Sequence, residues 1–287
     1  MIKKYSVPNE EIIKEIKAVE TICKEYDKLN GYIFLDTSIN FNPEMKSLFL
    51  LYKDDKLVSL ISVFTPTSEE AELSAYTLPE YRRKGYFKSL LSEVIQELKF
   101  YNISDIILVC EPQSKEGIEA IKGLKAELEF TEYFLRYKDS LIETGIEQLP
   151  EIMLEKAKQK DLETIIHLSQ EIFHDNYDDA KSLITKTFNS YNRVQYMAVL
   201  GSNIIGMVSV GIENDEVSIF GLGITPQYQG KGYGQIIMKL LLKKLKSSEK
   251  DNITIEVDSS NDRAFKLYKK LGFIVETSFD YYRKRIN

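Results

Sequence analysis

Cysteine is scarce in this 287-residue chain, with Cys23 and Cys110 its whole complement. Two thiols cannot build a disulfide framework or a cysteine-based zinc cluster, so a reducing, cytoplasmic setting is expected. Histidine is equally scarce. His167 and His174 have no metal-ligand spacing around them, so no metal is expected and both are read as surface or groove-lining residues. Positive charge is not in excess either. With 38 basic and 44 acidic side chains the net charge is −6, which argues against a general nucleic-acid binder. No apolar run approaches the ~18 residues that a membrane span needs, so no membrane partner is expected. The opening MIKKYSVPNEEIIKE reaches Pro8 and Asn9 without an apolar stretch, so no export signal is expected. What is present is ordinary for a folded protein: 43% hydrophobic and 29% charged residues exclude a disordered chain. The length suits two domains of about 150 residues each.

The two halves repeat one another. TLPEYRRKGYFKSLL begins at Thr77 and ITPQYQGKGYGQIIM at Ile224, an offset of 147. Under it Pro79, Tyr81, Lys84, Gly85 and Tyr86 meet Pro226, Tyr228, Lys231, Gly232 and Tyr233. The same register carries Asp105–Val109 onto Asn252–Glu256 and Leu124 onto Leu271. Two copies of one unit are therefore expected, 1–147 and 148–287, joined by a linker over 139–150.

Periodicity predicts the same order of elements in each copy. In the first, a helix is expected over 9–29, strands over 47–52, 57–64 and 71–77, and a helix over 85–101. A strand over 105–110, a helix from 115 and a strand over 130–137 complete it. In the second, a strand at 152–156 precedes helices at 161–173 and 178–190. Strands at 194–200, 203–212 and 216–225, a helix at 231–247, a strand at 252–257 and a helix at 262–271 follow. A final hairpin is expected over 273–285.

The sharpest local signal is Gln229-Gly230-Lys231-Gly232-Tyr233-Gly234, placed after a strand and opening an amphipathic helix. Glycines there let backbone N–H groups approach an anion, and the helix N-terminus adds its positive dipole end. Two other phosphate motifs fail. A P-loop needs Ser or Thr after Gly-Lys, and Gly230-Lys231 is followed by Gly232; the dinucleotide fingerprint needs G-x-G-x-x-G, and this loop reads G-x-G-x-G. Strand-Pro-x-Tyr-Gln-x-x-Gly-x-Gly-helix resembles the acetyl-CoA loop of the GNAT superfamily of N-acetyltransferases. A second segment strengthens the resemblance: Asn261, Ala264, Leu267-Tyr268 and Leu271-Gly272-Phe273 after the strand Ile255-Glu256-Val257. That segment is similar to the ribosomal-protein N-terminal acetyltransferase branch of the superfamily.

The resemblance implies an α/β (α+β) fold of two tandem GNAT-type domains, each a mixed, mostly antiparallel twisted sheet flanked by helices. In it the fourth and fifth strands splay apart to admit the coenzyme. It further implies that acetyl-CoA is the acyl donor, and that Leu222, Gly223 and Ile224 meet the pantetheine arm through backbone groups. Gln229, Gly230, Lys231, Gly232, Tyr233 and Gly234 would hold the pyrophosphate, and Asn261 would contact the coenzyme arm. Tyr268 would protonate the departing thiolate. In the ribosomal-protein branch a glutamate twelve residues before that tyrosine is the general base, and here position 256 is Glu256. Chemistry makes these types reasonable. An alkylamine with a pKa near ~10.4 is protonated at neutral pH and must lose a proton before it attacks. Glu256, between Ile255 and Val257, is expected to be desolvated and raised in pKa, with Glu213 and Glu216 in reserve. Duller roles are open to each: packing for Tyr268, an ion pair for Glu256, helix capping for Asn261 and a solvated face for Lys239, Lys243, Lys244, Lys246 and Lys250. The second copy has no cysteine, so direct attack in a ternary complex is expected.

The first copy loses those groups. Under the offset Gly234 becomes Phe87, Glu256 becomes Val109, Asn261 becomes Ser114 and Tyr268 becomes Ile121. A degenerate, non-catalytic first domain that walls the site or covers a sheet edge is expected, in a monomer or homodimer. The acceptor is expected to be an amine on a small molecule or peptide. The rival readings are a coenzyme A-binding sensor without turnover, and an acyltransferase with a peptide N-terminus as acceptor or a non-acetyl donor.

Overall fold

The computed structural model describes residues 1–138, 152–213 and 215–286. The linker expected over 139–150, and with it the expected boundary at 147/148, lies outside the described residues. The chain packs as two compact units, one of Met1–Glu132 with Thr277–Asn287 and one of Tyr133–Glu276.

The first unit opens with a short strand, β1 (Ile2–Tyr5), which the periodicity did not predict, and a long helix, α1 (Glu10–Asp27). Asn9 caps α1 by accepting from the Ile12 N–H at 2.9 Å, and Glu10 and Glu11 suit its positive first turn. Buried Ile12, Ile16, Val19 and Cys23 recur at three- and four-residue steps and turn one face of α1 inward. The strands β2 (Leu48–Lys53), β3 (Lys56–Phe64) and β4 (Glu70–Thr77) form an antiparallel meander. Helix α2 (Tyr86–Phe100) crosses over to β5 (Asp105–Cys110), which lies parallel to β4, and α3 (Lys115–Leu124) follows. The next strand, β6 (Glu127–Tyr137), begins in the first unit and ends in the second.

The second unit repeats the plan. Its antiparallel strands are β7 (Ile152–Lys156), β8 (Arg193–Leu200), β9 (Asn203–Glu213) and β10 (Glu216–Ile224). Two helices, α4 (Leu162–Phe173) and α5 (Tyr177–Asn189), stand between β7 and β8. Helix α6 (Tyr233–Lys246) crosses over to β11 (Asn252–Asp258), parallel to β10, and α7 (Asp262–Lys270) follows. Ile219, Ile237, Leu241, Ile253 and Ile255 are buried in one core with Tyr268 and Phe273.

The hairpin expected over 273–285 is instead one continuous strand, β12 (Phe273–Arg285). Those thirteen residues include no glycine, proline or asparagine to make a turn, so the strand runs on. It leaves the second unit after Glu276 and completes the first, where Asp280–Arg285 pair antiparallel with Cys110–Asp105 of β5. Thr277 donates to Glu111 at 2.8 Å, Arg283 bridges Glu70 and Glu129 at 2.6 and 2.8 Å, and the Ile286 N–H donates to the Ser104 carbonyl at 2.7 Å. In return, the end of β6 belongs to the second unit, where Leu135 is fully buried and Arg136 pairs with Glu216 and Glu276 at 3.2 and 2.7 Å. The compact units thus differ from the sequence repeats by an exchange of strand ends.

Candidate active site

Strands β10 and β11 pair over only four residues, from Glu216 with Asn252 to Ile219 with Ile255, and then part. Where they part, β10 slips against β9: Phe220 faces Ser209, but the next pair is Gly223 with Met207. One extra residue is therefore accommodated at Gly221 and Leu222, and Gly221 takes a φ of +59° that an L side chain rarely adopts. A Cβ on Gly223 would collide with Ile172 and Phe173 at the end of α4, so that glycine is demanded by the helix packed over it. The expected backbone segment Leu222, Gly223 and Ile224 is thus a bulged strand end beside an opening in the sheet.

The loop beyond it is built by its own side chains. Gln229 donates from Nε2 to the Ile224 carbonyl at 2.9 Å, which ties the loop to the end of β10. Lys231 donates to the Gln227 carbonyl at 3.0 Å and lies over the Tyr228 ring. Gly230 and Gly232 have φ of +77° and +81°, and a Cβ on either would meet nothing within 4 Å. The loop backbone therefore faces open space, and the first N–H groups of α6, at Tyr233 and Gly234, have no intrahelical acceptor. This geometry fits an anion, with backbone rather than the Gln229 and Lys231 side chains as the donors in hand.

Helix α7 packs beside that helix end, with Leu267 3.6 Å from where a Gly234 Cβ would lie and Lys270 donating to Gln235 at 3.3 Å. Tyr268 points inward from α7, is only 6% exposed, and has its ring centroid 6.0 Å from that of Phe273. Burial pushes its phenol up to about 12, so it holds its proton at any physiological pH. Asn261 caps α7, accepting from the Ala264 N–H at 3.1 Å.

Glu256 does not meet the expectation of burial. It is exposed, whereas Ile255 and Val257 are buried. Neighbours on a strand point to opposite faces, so apolar flanks place the residue between them away from the core. Of the reserve carboxylates, Glu213 is exposed, and Glu216 is paired with Arg136 and accepts from Thr254 at 3.4 Å. His167 bonds Gln170 on the outside of α4, and His174 ends that helix in the left-handed region. Lys244 and Lys246 lie over the Tyr196 and Tyr137 rings. Among the described residues no group of three metal-ligating side chains is present, and no helix is long and apolar enough to cross a membrane.

The first unit keeps the loop but not the bulge. Gly85 has a φ of +82°, and Lys84 donates to the Glu80 carbonyl at 2.7 Å while lying over Tyr81, as Lys231 does over Tyr228. Arg82 ties the loop to the Thr77 carbonyl at 3.0 Å where Gln229 ties it to Ile224. Yet β4 pairs with β3 in unbroken register from Phe64 with Glu72 to Ser59 with Thr77.

A parallel strand pair that parts over a glycine-built helix N-terminus, present twice, defines a tandem acetyltransferase architecture. The acetyltransferase (GNAT) family model matches residues 12–122 and 158–273, and the chain belongs to that family. It is similar to the [Ribosomal protein bS18]-alanine N-acetyltransferase of Haemophilus influenzae, at 36% identity over 84 residues. That match covers 29% of this chain and 57% of the relative. Among solved structures, a GCN5-related N-acetyltransferase from Sphaerobacter thermophilus aligns with a TM-score of 0.79 at 13% identity, over 99% of this chain and 95% of that one. A tandem GNAT protein from the clavulanic acid biosynthesis pathway aligns at 0.74 and 11% identity, over 99% and 98%. The fold of two tandem GNAT domains, each a mixed sheet flanked by helices, is thereby established. Acetyl-CoA is the substrate the family uses.

Proposed function

We propose that the chain transfers an acetyl group from acetyl-CoA to a primary amine, and that the transfer takes place in the second unit. The observation that carries this reading is the β10 bulge at Gly221, which stands where β10 and β11 part and has no counterpart in β4. A bulge frees backbone groups from the ladder and turns them toward a site, where an N–H can meet the oxygen that gains charge as the thioester is attacked. The pyrophosphate rests on the Gly230–Gly234 loop and the N-terminus of α6. Tyr268, protonated and buried, donates to the coenzyme A thiolate as it leaves. Glu256 takes the proton of the acceptor ammonium, directly or through water, from an exposed position beside the opening. The amine attacks in a ternary complex, since the unit has no thiol to carry the acetyl group.

The test is thiol release by the full chain, with acetyl-CoA and a panel of primary amines. Tyr268→Phe should lower kcat by roughly 10²-fold, the scale of a lost general acid, while acetyl-CoA affinity by calorimetry stays within about twofold. Glu256→Gln should depress the rate most at the pH where the acceptor is protonated. An unchanged kcat in Tyr268→Phe would remove its role, and amine-independent thiol release would remove the acceptor class.

A further inference from the structure

The first unit has lost the groups of the second, yet it is not filled in. A cavity of about 590 Å³ opens inside it, between the parted ends of β4 and β5, the start of α2 and the flank of α3. That is the size of a small-molecule site, since such pockets span about 300–1,000 Å³. Six aromatic rings line it: Tyr32, Tyr76, Tyr81, Tyr86, Phe87 and Phe279.

On α3 the lining charges are the reverse of those at the matching positions of α7. On α3, Glu116 and Glu119 line the cavity; the offset of 147 carries them to Arg263 and Lys266 on α7, and carries Gly123 to Lys270. The helix ends match in register, with Ser114 and Asn261 as their N-caps. The arginines that would attract an anion in the first unit are already engaged. Arg82 forms a two-point pair with Asp27 at 2.5 and 2.9 Å and lies 3.8 Å from Glu116, and Arg83 pairs with Glu119, so two guanidinium groups are shared among three carboxylates. In all, four carboxylates line the cavity against three cationic side chains. One of the four, Glu111, is 5% exposed and, among the described residues, accepts from uncharged donors: the Asn30 and Gly31 N–H groups, Gln113 and Thr277. A polyphosphate is disfavoured by such a lining, whereas a cation gains from both the carboxylates and the faces of the rings.

We propose that the cavity of the first unit binds an organic cation, a primary amine carried on an apolar body. The site is independent of turnover in the second unit and does not rest on that reading. Its wall draws on both repeats, because Phe279 belongs to the strand that ends the chain. The Tyr76 phenol, kept protonated by burial and by Glu20 and Glu111, is a hydrogen-bonding group within it.

The experiment is calorimetric titration of the full chain with 4-phenylbutylamine, against 4-phenylbutanol and 4-phenylbutyrate as neutral and anionic counterparts. At this cavity the amine should bind about tenfold or more tighter than the alcohol, and the carboxylate should not bind there. The double variant Glu116→Arg/Glu119→Lys installs the charges of the matching α7 positions at side chains 47% and 60% exposed that pair with Arg82 and Arg83, and its fold is checked by circular dichroism beside the parent. It should weaken the amine at least tenfold. Phe279→Ala changes no charge and should weaken amine and alcohol together. Equal affinity for the three probes, no amine binding, or an amine isotherm unchanged in both variants would each overturn the proposal. None of these readouts involves acetyl transfer, so failure of the transfer reading leaves them unaffected.

Discussion

In its proposed role Tyr268 is a proton donor that its environment makes reluctant. With no charged partner behind its shift, burial alone lifts the phenol from its usual 10 to about 12. A group with that pKa stays loaded far above neutrality, so it sets no alkaline limit near pH 10. The pH profile of kcat should therefore rise as the acceptor or its base loses a proton and then stay level to about pH 11. A fall centred near pH 10 would mean that the acting phenol is solvated, and that Tyr268 is not it. Stability has the opposite trend. The unfolded chain ionises this tyrosine from about pH 10, while the folded chain holds the proton to about 12, so its contribution to stability is lost as pH rises between those values. The same physics silences the thiols. Burial raises both Cys23 and Cys110 to about 11, and for Cys23 the nearby Arg82 only partly opposes it. At pH 8 about one thiol in a thousand is a thiolate, so iodoacetamide should leave both unmodified in the native protein and label both in denaturant, as read by mass spectrometry.

At the scale of the element, the bulge separates two copies whose loops keep the same left-handed glycine, with φ of +82° at Gly85 and +81° at Gly232. It was not legible from the motif, and the reason is arithmetic hidden in a connection. The offset is 147 at the starts of β3 and β9, 146 at the starts of β4 and β10, and 147 again at Pro79 and Pro226. The span from the start of β9 to the start of β10 is one residue shorter than that from β3 to β4, and the extra residue inside β10 offsets it, so an alignment begun at Thr77 never meets the mismatch. The glycine loop was legible because its chemistry is local: Gly85 and Gly232 need the same left-handed conformation in both copies. Glu256 departs from the expected burial because alternation along a strand turns the residue between two buried apolar neighbours away from the core. Deleting Gly221 should return β10 to the register of β4. The variant should fold, with a melting temperature near that of the parent, because β4 already demonstrates that pairing. Its kcat should fall by two orders of magnitude or more, with acetyl-CoA affinity kept by the intact loop. Retained kcat would mean that the bulge is a passive irregularity.

At the scale of the whole molecule, the two copies cannot be cut apart where the sequence repeat divides. Period and spacing revealed the repeat, but strand exchange is set by which edge each long strand reaches, and no local pattern encodes that. The first unit depends on Thr277–Asn287. Without those residues β5 becomes an open edge, the Arg283 bridge to Glu70 and Glu129 is lost, and Glu111 loses one of its donors. Tyr281 and Ile286, both nearly fully buried, leave the core as well, at about 2–4 kcal/mol each. Those losses together approach the whole stability of a domain, typically about 5–15 kcal/mol. A chain ending at Glu276 should therefore lose the first unit while the second, which ends at that residue, keeps its core. Amide hydrogen exchange should then find α1 and β2 unprotected and α6 and β11 protected. Protection preserved in α1 and β2 would mean that the first unit stands without its borrowed strand. If both regions exchanged freely, the second unit would in turn depend on the first.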